Sequence, residues 1–117
     1  MATVLELVQD LNQMILEGKI MEAFEKHYAE EVVMEDDGLP ATVGKDANRE
    51  REQNFVNSLT AFRGAEVKNI WISGNIACVE WFMDYTHKEW GDVAYTQVAV
   101  QRWRDGKIVR EVFFNNK

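Results

Sequence analysis

The chain has 117 residues, 46% hydrophobic and 28% charged, a length and balance suited to one domain around a single core. Thirteen Lys and Arg stand against twenty Asp and Glu, and the formal net charge of -7 argues against nucleic acid or an anionic membrane surface as partner. Cys78 is the sole cysteine, which excludes an intrachain disulfide, and in "IACV" it reads as a small sheet residue.

The opening "MATVLELVQD" meets Glu6 and Asp10 too early for a signal peptide, and no apolar run approaches the roughly 20 residues of a membrane span. A cytoplasmic location is expected. Val4, Leu7, Val8, Leu11, Met14 and Ile15 recur at three- and four-residue spacing before Gly18, which predicts a first helix over Val4 to Leu16. A second helix is expected from about Lys19 to Tyr28, burying Ile20, Ala23, Phe24 and Tyr28, with Glu22 and Lys26 spaced for a surface pair.

The stretch "AEEVVMEDDGLP" follows as the first strand, its apolar trio Val32, Val33 and Met34 crowded by Glu30, Glu31, Glu35, Asp36 and Asp37. Side chains alternate along a strand, so Val32, Met34 and Asp36 share one face and Val33 and Glu35 the other. If the first face is the inner one, Asp36 lies inside while its acidic neighbours stay hydrated. Burial and like charges would then disfavour its ionised form, the condition a proton shuttle needs.

The loop "DDGLPATVG" is long, and Gly38, Pro40 and Gly44 permit bends, so it is a candidate gate. A third helix is expected over Asp46 to Phe62, polar at Arg49, Glu50, Arg51 and Glu52 and then apolar on one face at Phe55, Leu59 and Phe62. Such a helix would lie across the mouth of a cavity.

From Ala65 the pattern becomes two-fold in "EVKNIWIS", "NIACVEWFMDYTH", "VAYTQVAVQRWR" and "KIVREVFFN", separated by "SGN", "KEWGD" and "RDGK". Four antiparallel strands in a meander are predicted. Arg102, Arg104, Lys107 and Arg110 are interrupted by Asp105 and Glu111 and read as a solvated rim, with no stacking platform for nucleic acid. The strands are apolar on both sides, more than one buried face absorbs, so a homodimer through the outer sheet face is expected.

Helix, helix, strand, helix and a meander ending in "DGKI" resemble a SnoaL-like domain of the NTF2-like superfamily, the cystatin-like α+β cone. The matching pieces are "GKIMEAFEKHYAEEVVMED", "VGKDA", "SGNIACVEWFMDYTH" and "VQRWRDGKIVREVFF". The resemblance implies one domain over residues 1–117, of α+β class, with three N-terminal helices packed on a strongly curved, mostly antiparallel sheet. It also implies a cone whose interior is either filled or used as a small-molecule pocket.

Ketosteroid isomerases, a branch of that superfamily, have a similar acidic segment whose second carboxylate is the proton-shuttling base, and Asp36 in "VVMED" occupies the matching place. The position of their oxyanion-hole tyrosine falls at Leu11 or Asn12, and that of the partner acid at about Ala99. Without those donors an enolate is unsupported, and steroid isomerisation is rejected.

The same alignment implies inner positions at Val79, Trp81, Met83, Tyr85 and His87, at Tyr95, Gln97, Ala99, Gln101 and Trp103, and at Glu111, Phe113 and Asn115. With Met34, Phe55 and Leu59 these make an aromatic pocket for a small apolar ligand. Its candidate catalytic groups are Asp36, Glu111 and His87.

Each has a plainer alternative: Asp36 as a cap on the following turn, Glu111 in a structural network with Arg102, Arg110 or a tyrosine, His87 as a rim residue. His27, His87 and the carboxylates form no familiar ligand spacing, so neither metal nor cofactor is expected. Two function classes stay open. The preferred one is a small-molecule-binding domain; the alternative is a cofactor-independent acid/base enzyme of isomerase, cyclase, dehydratase or hydrolase type.

Overall fold

A computed structural model describes residues 2–115. Thr3 opens α1 (Val4–Leu16) with a capping box, its hydroxyl accepting from the Glu6 N–H at 3.1 Å while the Glu6 carboxylate accepts from the Thr3 N–H at 3.0 Å. The helix buries Val8, Leu11 and Asn12, and Gly18, at φ 80, turns the chain into α2 (Ile20–His27). Lys26 pairs with Asp10 at 2.8 Å rather than with Glu22.

Tyr28, expected to close the second helix, is instead the first residue of β1 (Tyr28–Asp36). The β1 register shifts between Tyr28 and Val33, so strict alternation holds only from Val32 onward. There Val32 and Met34 are buried, as the alternation requires; Glu30 and Glu31 before it and Asp37 after it are exposed. Glu35 is more shielded than expected and pairs with Arg110.

The loop after β1, the anticipated gate, carries a short strand of its own. Thr42 and Val43 form β2 (Thr42–Val43) on the edge of β1. The fully buried Asn48 amide donates to the carbonyls of Val32, Thr42 and Gly44 at 3.3, 3.0 and 2.8 Å, pinning the loop from below.

Asn48 sits in α3 (Lys45–Ser58), which ends four residues before the expected Phe62. Leu59 and Phe62 belong to β3 (Leu59–Ser73), where Leu59 pairs with His87 and Phe62 with Tyr85. Strand pairing along that edge satisfies backbone groups that a longer helix would carry into solvent, and the Ser58 hydroxyl donates back to the Asn54 carbonyl at the last turn.

The meander continues as expected through β4 (Ile76–His87), β5 (Gly91–Arg104) and β6 (Lys107–Asn115). The turn between β5 and β6 places Asp105 and Gly106 at φ 52 and 78, the two positive values that a tight Asp-Gly hairpin needs. The sheet runs β2-β1-β6-β5-β4-β3, and among the described residues β1 with β6 is its one parallel pair. This is the expected α+β cone, three helices on a mixed, mostly antiparallel sheet.

Its core joins Val8, Leu11 and Phe24 of the helices to Val32, Met34, Val79, Trp81, Trp103 and Ile108 of the sheet. Val8, Val32, Val79 and Ile108 are fully buried, each contributing about 1.5–3 kcal/mol relative to exposure.

Candidate functional site

Between α1, α3 and the inner sheet face lies a pocket of about 460 Å³. Strand pairing builds its far wall. Trp81 lies across from Gln97, and Met83 across from Tyr95; Gln101 lies across from Glu111, and Ala99 across from Phe113. Between β5 and β6 the register slips, Arg102 facing Arg110 but Trp103 facing Ile108, so Val109 is an extra residue on β6. That bulge lets Ile108 and Glu111 both point inward.

Glu111 is 2% exposed and borders the pocket. Tyr28 donates its hydroxyl to Oε1, and the Gln101 amide donates to Oε2 at 2.8 Å. The direction of the second bond is fixed from further back. An indole N–H only donates, and that of Trp103 meets the Gln101 carbonyl at 3.1 Å, so the Gln101 NH₂ must face Glu111. Oε1 thus faces the one partner, the Tyr28 hydroxyl, that can accept as well as donate, which makes it the more accommodating oxygen for a proton. Burial pushes the Glu111 carboxyl up to about 7, against the two hydrogen bonds that favour its charge; Glu52 adds to the rise and Arg51 opposes it. Burial and the nearby Glu111 push the Tyr28 hydroxyl well up as well, so it stays protonated.

Asp36 also borders the pocket but not as expected. Its side chain is 36% exposed and ion-paired with Arg51, whose guanidinium lies 5.9 Å from the centre of the Phe113 ring. The desolvated setting anticipated for Asp36 belongs to Glu111. Half-buried Glu52 stands beside this pair, raised by desolvation, lowered by Arg51 and raised again by Asp36.

His87 is 6% exposed at the mouth, stacked on half-exposed Trp90 at 3.7 Å between ring centres. Its Nδ1 accepts from the Glu89 and Trp90 N–H groups at 3.1 and 3.4 Å. Both partners can only donate, so the lone hydrogen of the neutral ring sits on Nε2.

Of the other anticipated ligand contacts, Phe55, Trp81, Met83, Tyr95, Gln97, Gln101 and Phe113 border the pocket. Tyr85 is behind the wall, sharing a hydroxyl contact of 2.5 Å with Tyr95 and an edge contact with Phe55. Met34, Val79 and Trp103 are buried but packed into the core away from the pocket, since the helices cover that end of the cone. Leu59 left the helix for the edge strand, and Asn115 is exposed at the end of β6. Of the anticipated gate, residues 36–44, Asp36 alone borders the pocket.

Several pocket residues are not among those anticipated, and four of them carry polar groups that matter here: Asn12, Tyr28, Arg51 and Glu52. Asn12 falls on the apolar stripe, four residues after Val8 and three before Ile15. Arg51 and Glu52 precede Phe55 by four and three, and so share its face. Tyr28 is hidden by the bulge in β1, where alternation gives no reading.

The family model for the SnoaL-like domain matches residues 2–115. The chain belongs to the SnoaL-like domain family. Solved structures share its fold. A proposed SnoaL-like polyketide cyclase, also labelled a carbohydrate phosphatase, from Mesorhizobium loti matches at TM-score 0.85 and 23% identity, over 96% of this chain and 98% of that one. A proposed isomerase from Bacillus subtilis matches at TM-score 0.79 and 20% identity, over 97% and 86%. A hypothetical protein of ketosteroid isomerase-like fold from Catenulispora acidiphila, solved with trimethylamine, matches at TM-score 0.76 and 13% identity, over 92% and 83%. No curated protein matches the sequence. At these identities the likeness of this SnoaL-like domain to its neighbours is one of fold. Among the described residues no helix is long and apolar enough to cross a membrane, and no group of His, Cys, Asp and Glu is placed to hold a metal ion.

Proposed function

We propose that the cone binds a small, mostly apolar molecule and exchanges a proton with it through Glu111. One observation carries this reading: a carboxyl 2% exposed stands at the wall of an aromatic pocket with a donor on each oxygen. Each carboxylate oxygen keeps a second lone pair, so Oε1 takes a proton from an acidic C–H or O–H of the ligand without breaking the bond from Tyr28. The pair of electrons left behind stays on the ligand until Oε1 returns the proton to the same atom or another. A carboxyl near 7 performs both halves at neutral pH without a cofactor.

Asp36 is the weaker candidate because Arg51 occupies it. Its place in this reading is to hold Arg51 over Phe113, at the edge of the pocket.

A screen of neutral bicyclic compounds, followed by the fluorescence of pocket tryptophan Trp81, tests the binding half. Exchange of ligand C–H for deuterium from D₂O, lost in Glu111→Gln, tests the proton-transfer half. Binding without exchange would leave a binding domain, the second reading.

The reading includes a homodimer. On the outer face Val98 pairs with Phe114 and Val100 with Val112, and Phe82 lies one strand over on β4. Phe114 is 42% exposed and the other four are half-buried. A second copy placed there would cover them in an interface of at least about 1,000 Å².

A further inference from the structure

Asn12 is 5% exposed, stands in the pocket wall, and neither its Nδ2 nor its Oδ1 meets a hydrogen-bond partner among the described residues. A buried amide left this way costs the fold stability, whereas a leucine at the same place on α1 would extend the apolar stripe of Val8 and Leu11. Something other than stability must explain it. The chemistry of the missing partner follows from what the amide offers, one donor and one acceptor side by side.

A carboxylate brings acceptors only and leaves Oδ1 unmatched. It would also enter a wall that, among the described residues, sets Asp36, Glu52, Glu89 and Glu111 against one cation, Arg51. An ammonium brings donors only and leaves Nδ2 unmatched. A single hydroxyl cannot lie along both bond directions, and hydrogen bonds weaken steeply when bent. What satisfies both atoms is a neutral edge with an acceptor beside a donor, as a cyclic amide presents.

We infer that Asn12 orients the ligand of this pocket by pairing with the cis-amide edge of a lactam or a like neutral donor-acceptor edge on a compact ring system. The inference rests on the proposed ligand-binding function and sharpens it to a class. The ring body lies against Trp81 and Phe113, and the amide edge faces α1, shifting the side chains that close over Asn12 in the unliganded chain.

Three bicyclic probes of nearly one shape test it, by titration against wild type and Asn12→Leu. 2-Quinolone carries the full edge, coumarin the carbonyl alone, naphthalene neither. Wild type should bind 2-quinolone at least tenfold more tightly than coumarin, and the Asn12 side-chain amide signals should move in a ¹H–¹⁵N spectrum. In Asn12→Leu the two affinities should converge while naphthalene binds no worse, and the unliganded variant should melt higher than wild type.

Equal binding of 2-quinolone and coumarin by wild type, or a preference that persists in the variant, overturns the inference and leaves the pocket reading intact. A variant that melts lower than wild type makes Asn12 a structural amide and overturns it too. Failure of all three probes to bind removes the pocket reading, and the inference with it.

Discussion

Glu111→Gln keeps the shape of the side chain and removes its charge. In the native chain the carboxyl rises from an ordinary 4.5 to about 7 because burial penalises the ionised form. Between those values the folded chain holds a proton that the unfolded chain has released, so wild-type stability falls as pH rises through that window. At 1.36 kcal/mol per unit the loss comes to about 3 kcal/mol, complete once the pH exceeds 7. The glutamine escapes this loss. Its oxygen still accepts from Gln101, but its NH₂ now meets the Tyr28 oxygen and turns that hydroxyl away, which returns part of the gain. A net advantage of about 1–3 kcal/mol is expected at pH 8.5, roughly 4–12 °C in a domain of this size, falling to zero or turning slightly in favour of wild type at pH 4.5. Thermal unfolding of both proteins across that range is the assay. A difference that does not change with pH, or one that favours wild type more strongly at pH 8.5, would refute the assignment of a desolvated, reluctantly ionised carboxyl.

Three further substitutions probe the surroundings. Tyr28→Phe removes the donor to Oε1 and should cost about 1–3 kcal/mol, more at pH 8.5 than at pH 5 because the charged form loses most; melting curves at the two pH values check it. Asn48→Ala strips three carbonyls of their shared donor and should destabilise by roughly 2 kcal/mol while speeding amide hydrogen exchange at Thr42 to Gly44; unchanged exchange there would mean that strand pairing alone holds the loop. Val100→Arg places a charge at the centre of the outer face and should convert dimers to monomers in sedimentation at micromolar concentration; a wild type that sediments as a monomer would remove the dimer.

The meander was legible because each of its strands carries two-fold alternation and a glycine turn, and the inner positions Trp81, Tyr95, Gln101 and Glu111 followed from that alternation once the family likeness set its phase. Where alternation failed, so did the reading. Tyr28 lies before the β1 bulge, and a tyrosine there fits a helix end as well as a strand start. Leu59 and Phe62 repeat at helical spacing after Phe55, but their backbone is claimed by pairing with β4, a contact more than twenty residues away that no local pattern reports. Asp36 borders the pocket, on the face alternation expects, but Arg51, in the polar opening of α3, reaches it across the pocket edge. Charge partners contributed by another element are the part of a site that strand periodicity leaves out.

The account turns on the protonation of one carboxyl. Titration of the Glu111 side-chain carbon by ¹³C NMR in the folded protein measures it directly. A midpoint near 7, moving when a pocket ligand is added, is the expected result; a midpoint at or below the ordinary 4.5, indifferent to ligand, would show a carboxylate charged at every working pH and contradict the proposed proton exchange.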